Sequence, residues 1–334
     1  MSFLRSAAFA AAAAIAAVPV AAEEASYILA TASTGGTYYP VGVALSTLIK
    51  VKLEPAEKIG MSAISSAGSA ENVRLLREGE AEFAILQGLY GYYAATGSGP
   101  MEEIGPQENL RSVSMLWQNV EQFVVASEAA GTGTMADFVG LKGESVALGS
   151  QNSGTIGSNR TLLAGLGVDI DADYTLVYGG YGPAAEALQN GQVKGISTPA
   201  GVPTGAISQL FAAMGDKVTL LSFTPEELAA ADGGKELWTP FTVKGGTYPG
   251  LAEDVTTIAQ PNFLATTAEL PEENVYLITK AIYENLPFLQ AIHPATKAMA
   301  LEQAIAGLPL PLHPGAARYY QEVGVTIPDR LIAK

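Results

Sequence analysis

The feature that most limits how this chain can fold is a repeated unit: a short apolar run, a Gly/Ser/Thr loop, then apolar residues at helical spacing. Residues 27–31 (YILAT) form the first run and the loop Ala32-Ser33-Thr34-Gly35-Gly36-Thr37 follows it. Val41, Leu45, Leu48 and Ile49 then recur at the three- and four-residue intervals of one helix face. Residues 61–65 (MSAIS), the loop Ala67-Gly68-Ser69 and a helix carrying Val73, Leu75 and Leu76 repeat the unit, and 82–86 (EFAIL) opens a third. Strands separated by helices in this way are joined by the crossovers of a parallel sheet, so the expected class is α/β.

The pattern restarts after Trp117. Strands are expected at 123–126, 145–148, 174–178, 193–197 and 218–221. One helix follows the polar loop at 150–155, another ends at Asn190-Gly191, and a third lies around 207–214. REGEAEFAILQG (77–88) and QNGQVKGISTPA (189–200) share the order helix end, glycine, strand, polar loop, as two lobes of one topology would. The rest of the chain reads as a strand at 255–259, helices at about 272–292 and 295–306, a Pro-rich turn at 308–314 and a last helix at about 316–323. No stretch has the composition of a linker, so strands crossing near 117–125 and 218–224 are expected to join the lobes. Residues 23–119 and 222–334 would form lobe 1, and 120–221 lobe 2.

Ahead of lobe 1, residues 1–22 carry Arg5, an Ala-rich run from about Ala7 to Val18, and the small residues Val20 and Ala22. So short a run at the extreme N-terminus reads as a secretory signal cleaved near Ala22, which implies an exported chain. No later apolar run approaches the ~20 residues of a membrane span, so no insertion of the mature chain is expected. The sequence holds 18 Lys and Arg against 33 Asp and Glu, a net charge of −15, and no cysteine. Acidity without a basic block argues against nucleic acid and anionic headgroups as partners, and the missing thiols remove Cys nucleophiles and Cys–metal sites. An anionic ligand stays open, because dipoles at a site decide binding while net charge sets only the far field. No cofactor and no metal are expected.

In open α/β sheets the ligand crevice lies beyond the carboxyl ends of the strands. Three loops there have the composition to receive an anion: Gly35-Gly36-Thr37, Gly68-Ser69 and Ser153-Gly154-Thr155, each opening a helix whose dipole favours negative charge. Helix capping alone accounts for any one of them, with Ser69 and Asn72 spaced as a capping-box variant. Three at equivalent positions across two lobes point to a shared polar cleft. Gln87, at the end of the third strand, can present a neutral donor to it, and Tyr38, Tyr39, Tyr90, Tyr92, Tyr93, Tyr178 and Tyr181 lie close by in sequence.

Enzymatic readings find little support. Gly131-Thr132-Gly133-Thr134-Met135-Ala136 fits G-x-G-x-x-A, but too few residues follow for a crossover helix, so a surface turn is expected. His293 and His313 each precede a proline and have no metal-pair spacing. Besides a binding protein, two readings stay open: an exported hydrolase or lyase with its active site in the same cleft, and a ligand sensor for a membrane receptor.

Taken together, ATASTGGTYYPVGVAL (30–45), SAGSAENVRLLREGEAEFAILQ (66–87), LGSQNSGTIGSNRTLLAGLGV (148–168) and GGTYPGLAEDVTTIA (245–259) resemble the TAXI family. These are the solute-binding proteins of tripartite ATP-independent periplasmic (TRAP) transporters, and LPLHPGAARYYQEVG (310–324) resembles their C-terminal end. The resemblance implies a type II periplasmic-binding-protein fold, two α/β lobes closing by a hinge on a small carboxylate such as glutamate or 2-oxoglutarate. Delivery would be to a sodium-driven permease of one small and one large membrane subunit. Position by position, it places Gly36, Thr37, Tyr38, Ser69, Asn72, Gln87, Ser153, Gly154, Thr155, Thr247 and Tyr248 at the ligand.

Two departures bear on the ligand. Gln87-Gly88-Leu89 stands where the family often has Gln-Ser-Asp, and Gln118-Asn119-Val120 stands where Pro-Glu-Pro is common, which brings Asn119 into the candidate site. If the replaced carboxylates pair with a ligand ammonium, their loss favours a dicarboxylate or oxo-acid over an amino acid.

Overall fold

The computed structural model describes residues 24–333, so the signal segment expected at 1–22 lies outside the described residues. The first lobe runs β1 (Ala25–Ala30), α1 (Tyr38–Lys52), α2 (Glu54–Glu57), β2 (Ile59–Ile64), α3 (Ser69–Arg77), β3 (Phe83–Gln87), α4 (Gly88–Thr96) and β4 (Leu110–Val120). The chain then enters the second lobe with β5 (Phe123–Ala126), α5 (Met135–Val139), β6 (Ser145–Ala147), α6 (Gly154–Gly165), α7 (Ile170–Asp173) and β7 (Thr175–Leu176). It continues through α8 (Tyr181–Gln189), β8 (Gly195–Ser197), α9 (Gly205–Met214), β9 (Val218–Leu220) and α10 (Pro225–Asp232). Back in the first sheet come β10 (Thr239–Val243) and β11 (Val255–Thr267), followed by α11 (Glu272–Glu284), α12 (Leu286–Ile292) and α13 (Pro314–Glu322).

The two sheets repeat one topology. In the first the order is β10-β11-β3-β1-β2, with β4 also paired to β11; in the second it is β7-β6-β8-β5-β9. β1 is parallel to β2 and β3, and β6 is parallel to β7 and β8. One antiparallel strand then closes each set, β11 on β3 and β5 on β8. β3 and β8, the strands of the two echoing segments, therefore occupy equivalent places. Burial on both faces explains their unbroken apolar runs: every residue of β3 and β8 is buried.

Two connections join the lobes. Glu121 and Gln122 carry the chain from β4 to β5, and both are fully buried. The return runs through residues 221–232: the Leu221 amide donates to Phe123 in the second sheet and the Phe223 amide to Thr256 in the first, while α10 still packs on α6, where a Cβ on Gly165 would lie 2.2 Å from the Ala230 carbonyl oxygen. Thr224 caps α10 through a reciprocal capping box with Glu227.

The structure departs from the sequence reading in the C-terminal third. The helix expected over 272–292 is two helices, since Pro287 sits at the second position of α12 and has no N–H to continue α11. The helix expected over 295–306 is replaced by 3-10 turns at Pro294–Ala298 and Leu301–Gln303. Between them Met299 and Ala300 are extended, which puts the Met299 side chain, 1% exposed, into the core. Burial of a large apolar side chain here outweighs helix propensity. Among the described residues no helix is long and apolar enough to cross a membrane.

Candidate functional site

The shared topology brings helix N-termini face to face. In each lobe the loop after a parallel strand turns straight into a helix at the strand's carboxyl end. The residues immediately preceding α1, α3, α4, α6 and α8 (Thr37, Gly68, Gln87, Ser153 and Gly180) all line one cavity between the sheets. The cavity volume is about 40 Å³, room for about three or four waters at roughly 10–15 Å³ each. Its other walls include Ser33, Tyr38, Ser69, Asn119, Ser150, Thr155, Tyr181 and Pro199.

No Asp, Glu, Lys, Arg or His is among the lining residues. The electrostatics therefore come from the backbone. First-turn amides have no acceptor within their own helix, and aligned peptides place about half a positive charge at each N-terminus. Only Ser153 spends its side chain on its own helix, accepting from the Ile156 amide at 3.1 Å; Thr37, Gly68, Gln87 and Gly180 give no side-chain cap. The capping-box variant expected from Ser69 and Asn72 does not form. Gly68 precedes α3 with φ +114, and the Glu71 carboxylate accepts from the Ala67 amide at 2.6 Å.

The hydroxyls at the cavity are largely committed to the protein. Tyr38 donates to Asn262 Oδ1 at 2.5 Å, Tyr181 donates to the Pro199 carbonyl at 2.6 Å, and Thr155 lies 2.9 Å from the Tyr181 oxygen. Since the Tyr181 proton goes to Pro199, Thr155 is the donor in that last pair. Burial pushes both phenols well above their ordinary pKa, so both stay protonated donors.

Among the described residues, three side-chain hydrogen bonds span the cleft away from the connections: Thr37 Oγ1 to the Gly201 carbonyl at 3.2 Å, Gln87 Nε2 to the Gly154 carbonyl at 2.9 Å, and one between the Tyr93 and Thr161 hydroxyls at 2.6 Å. Gly154 makes this closure possible. A Cβ there would lie 2.8 Å from Ser69 Cβ and 3.2 Å from Gln87 Cδ on the opposite lobe.

Nine of the twelve residues expected at the ligand line this cavity: Gly36, Thr37, Tyr38, Ser69, Gln87, Asn119, Ser153, Gly154 and Thr155. Asn72, Thr247 and Tyr248 do not. Asn72 is fully buried beneath α3, where its Nδ2 donates to the Thr31 and Ile85 carbonyls at 2.8 and 2.9 Å, tying the helix to β1 and β3. The Tyr248 hydroxyl donates to Gln122 Oε1 and accepts from the Thr204 amide at 3.0 Å, bracing the connection between lobes, and Thr247 lies in the adjoining turn.

The sequence reading missed the N-terminus of α8. Its signal is Gly179-Gly180-Tyr181 after β7, the counterpart of Gly35-Gly36 before α1. Glu121 was missed as well, a carboxylate two residues beyond Asn119. It is fully buried in the hinge, accepting at Oε1 from Trp238 Nε1 at 3.0 Å and Gln260 Nε2 at 3.4 Å, while Oε2 has no partner. Desolvation pushes its pKa up to about 7, against the lowering effect of those two bonds.

The histidines stand apart from the cavity. His313 accepts from the Gly315 amide and caps α13, with Nε2 at 3.1 Å from the Leu270 carbonyl; His293 accepts from the Ala295 amide. Burial lowers the pKa of each, so both are neutral near pH 7. The Gly131–Ala136 segment is a surface turn into α5, with the Asp137 carboxylate accepting from the Thr132 and Gly133 amides.

Two lobes of one topology with a polar cavity at the facing helix N-termini define the fold class of the periplasmic solute-binding proteins. Solved structures agree. MatC from Rhodopseudomonas palustris with bound malate matches with a TM-score of 0.56 at 14% identity, over 91% of this chain and 98% of that one. A Xanthomonas citri protein bound to ATP matches with a TM-score of 0.51 at 10% identity, over 90% and 96%. A binding protein component of an ABC phosphonate transporter from Pseudomonas aeruginosa matches with a TM-score of 0.50 at 8% identity, over 81% and 78%. The chain belongs to the NMT1-like family, whose model matches residues 29–324.

Proposed function

We propose that this protein is an exported solute-binding protein that captures a small carboxylate by hinge closure and hands it to a membrane transporter, without turning it over. One observation carries the reading: five helix N-termini converge on a small cavity that no charged side chain lines. Such a site supplies positive potential and backbone donors without a counter-charged side chain, the requirement of a compact anion. MatC, which shares the fold, is solved with bound malate, a small carboxylate. Enzymatic turnover would need a nucleophile and base at the cavity, and the lining offers neither His nor carboxylate.

The finer assignments rest on the sequence resemblance: membership of the TAXI group, a TRAP permease as recipient, a periplasmic location after cleavage near Ala22, and a ligand such as 2-oxoglutarate or glutamate. In this reading the ligand touches Gly36, Thr37, Tyr38, Ser69, Gln87, Asn119, Ser153, Gly154 and Thr155. The lobes then rotate about the two connections, the one after β4 and the one through residues 221–232.

A thermal-unfolding screen of small mono- and dicarboxylates tests the proposal. A ligand that binds only the folded state raises the unfolding temperature, by about 2.7 kcal/mol of stabilisation at a hundred times Kd. At least one carboxylate should give such a shift, confirmed by calorimetry; a flat response across the set sinks the carboxylate reading.

A further inference from the structure

The orientation of two buried amides at the cavity defines what the ligand must carry beside its carboxylate. Gln87 lies 2.9 Å from the Gly154 carbonyl, which can only accept, so Gln87 must turn Nε2 toward it. Its Oε1 is then the atom that faces Asn119 at 3.3 Å, and an oxygen there requires Asn119 to present Nδ2. Neither amide can flip without setting two oxygens against each other, so the usual ambiguity between amide oxygen and nitrogen is removed by the chain of contacts.

The remaining atom is Asn119 Oδ1. It is buried on a side chain 1% exposed, it has no hydrogen-bond partner, and Asn119 lines the cavity. A buried acceptor without a donor is costly, and few survive in folded proteins unless something occupies the site.

Resting on the carboxylate reading above, we infer that the ligand is a small hydroxy acid: its carboxylate sits at the helix N-termini and its hydroxyl donates to Asn119 Oδ1. A keto oxygen has no proton to offer and leaves Oδ1 unpaired against another oxygen. An ammonium has the proton, but burying it requires a counter-charge: no carboxylate is among the lining residues, and Glu121, which acts on Tyr38 and Tyr181 from the hinge, is pushed by burial toward its neutral form. The hydroxyl is the one substituent of the three that satisfies Oδ1 without bringing in an unpaired charge. This reverses the preference for an oxo-acid drawn from the sequence departures, while keeping their argument against an amine.

The test is calorimetric titration of the unmodified protein with two matched series that differ only in that group. One is lactate, pyruvate and alanine; the other is 2-hydroxyglutarate, 2-oxoglutarate and glutamate, with each hydroxy acid in both enantiomers. In whichever series binds, the hydroxy member should be the tightest, about tenfold or more ahead of its keto and amino analogues. A keto or amino member binding as tightly or more tightly overturns the inference and leaves the carboxylate reading intact. No binding by any member of either series overturns the inference alone if another carboxylate shifts the unfolding temperature, and a flat carboxylate screen overturns both. In Asn119→Ala, checked for folding by thermal unfolding, the hydroxy and keto acids should bind within about threefold of each other; an unchanged preference in that variant overturns the role of Asn119.

Discussion

Replacing Gly154 with alanine separates binding from folding. The new Cβ would lie 2.8 Å from Ser69 Cβ and 2.9 Å from Ser69 Oγ, closer than side-chain carbons approach, and both atoms belong to the facing lobe. With the lobes apart, the same methyl group has neither neighbour. Gly154 is the first residue of α6 and its φ lies outside the left-handed region, so alanine fits the open form. Overpacking of one methyl group costs about 1–3 kcal/mol, and that cost falls on the closed form alone. It converts to a Kd weakened about 5- to 150-fold at 1.4 kcal/mol per tenfold. Displacement of Gln87 from the Gly154 carbonyl adds to it. The unfolding temperature without ligand should stay level or rise, since alanine is the better helix former by up to about 1 kcal/mol. The assay pairs calorimetric titration with the carboxylate that gives the largest thermal shift and unfolding of the free variant. Gly182→Ala is the control, because a Cβ there meets nothing within 4 Å. If Gly154→Ala folds normally and binds as tightly as the parent, ligand binding does not bring the lobes together as described.

Three further outcomes follow from particular contacts. Glu121 has its pKa raised on folding to about 7, so it favours the folded state below its unfolded pKa near 4.5, and that contribution is lost as pH rises to 7. The loss is on the order of 3 kcal/mol; Glu121→Gln should flatten the decline in unfolding free energy between about pH 4.5 and 7, and an unchanged pH profile would count against a buried, cation-free carboxylate. Tyr93→Phe removes the 2.6 Å bond across the cleft to Thr161. It should weaken ligand binding about two- to tenfold, from the ~0.5–1.5 kcal/mol of one hydrogen bond, with little change in unfolding of the free protein. Phe123→Ala, at a fully buried ring packed edge-on against Phe138 at 4.9 Å, should cost about 3–5 kcal/mol in chemical denaturation; a cost below ~1 kcal/mol would place the core of the second lobe elsewhere.

Much of the first lobe could be read from the sequence because its strands are buried on both faces and its loops are short. YILAT, MSAIS and EFAIL stand out as apolar runs, and each turns into a helix within a few residues. β4 was harder. Leu110–Val120 carries Arg111, Ser112, Ser114, Gln118 and Asn119 among its apolar residues, and it pairs with β11 across a register shift, so no period of two marks it. At the site, Thr37, Ser153 and Gly154 were legible because Gly, Ser and Thr before a helix carry a known chemistry. Gly180 was not, since Pro183 and the absent Ser or Thr hide the start of α8. Asn72 and Tyr248 were placed at the ligand by resemblance alone, and their polar atoms serve backbone groups that only the tertiary fold brings near. No sequence signal marks Glu121; its burial follows from the β4–β5 connection, where Trp238 Nε1 donates to its carboxylate.

The central claim is that an anion is held by backbone dipoles with no side-chain counter-charge. A calorimetric comparison of a binding carboxylic acid with its neutral amide, at one ionic strength, tests it most directly. Two charge-assisted hydrogen bonds at about 1.5–3 kcal/mol each predict that the amide binds at least about a hundredfold more weakly. An amide that binds as well as the acid would contradict the claim and show that the cleft selects shape rather than charge.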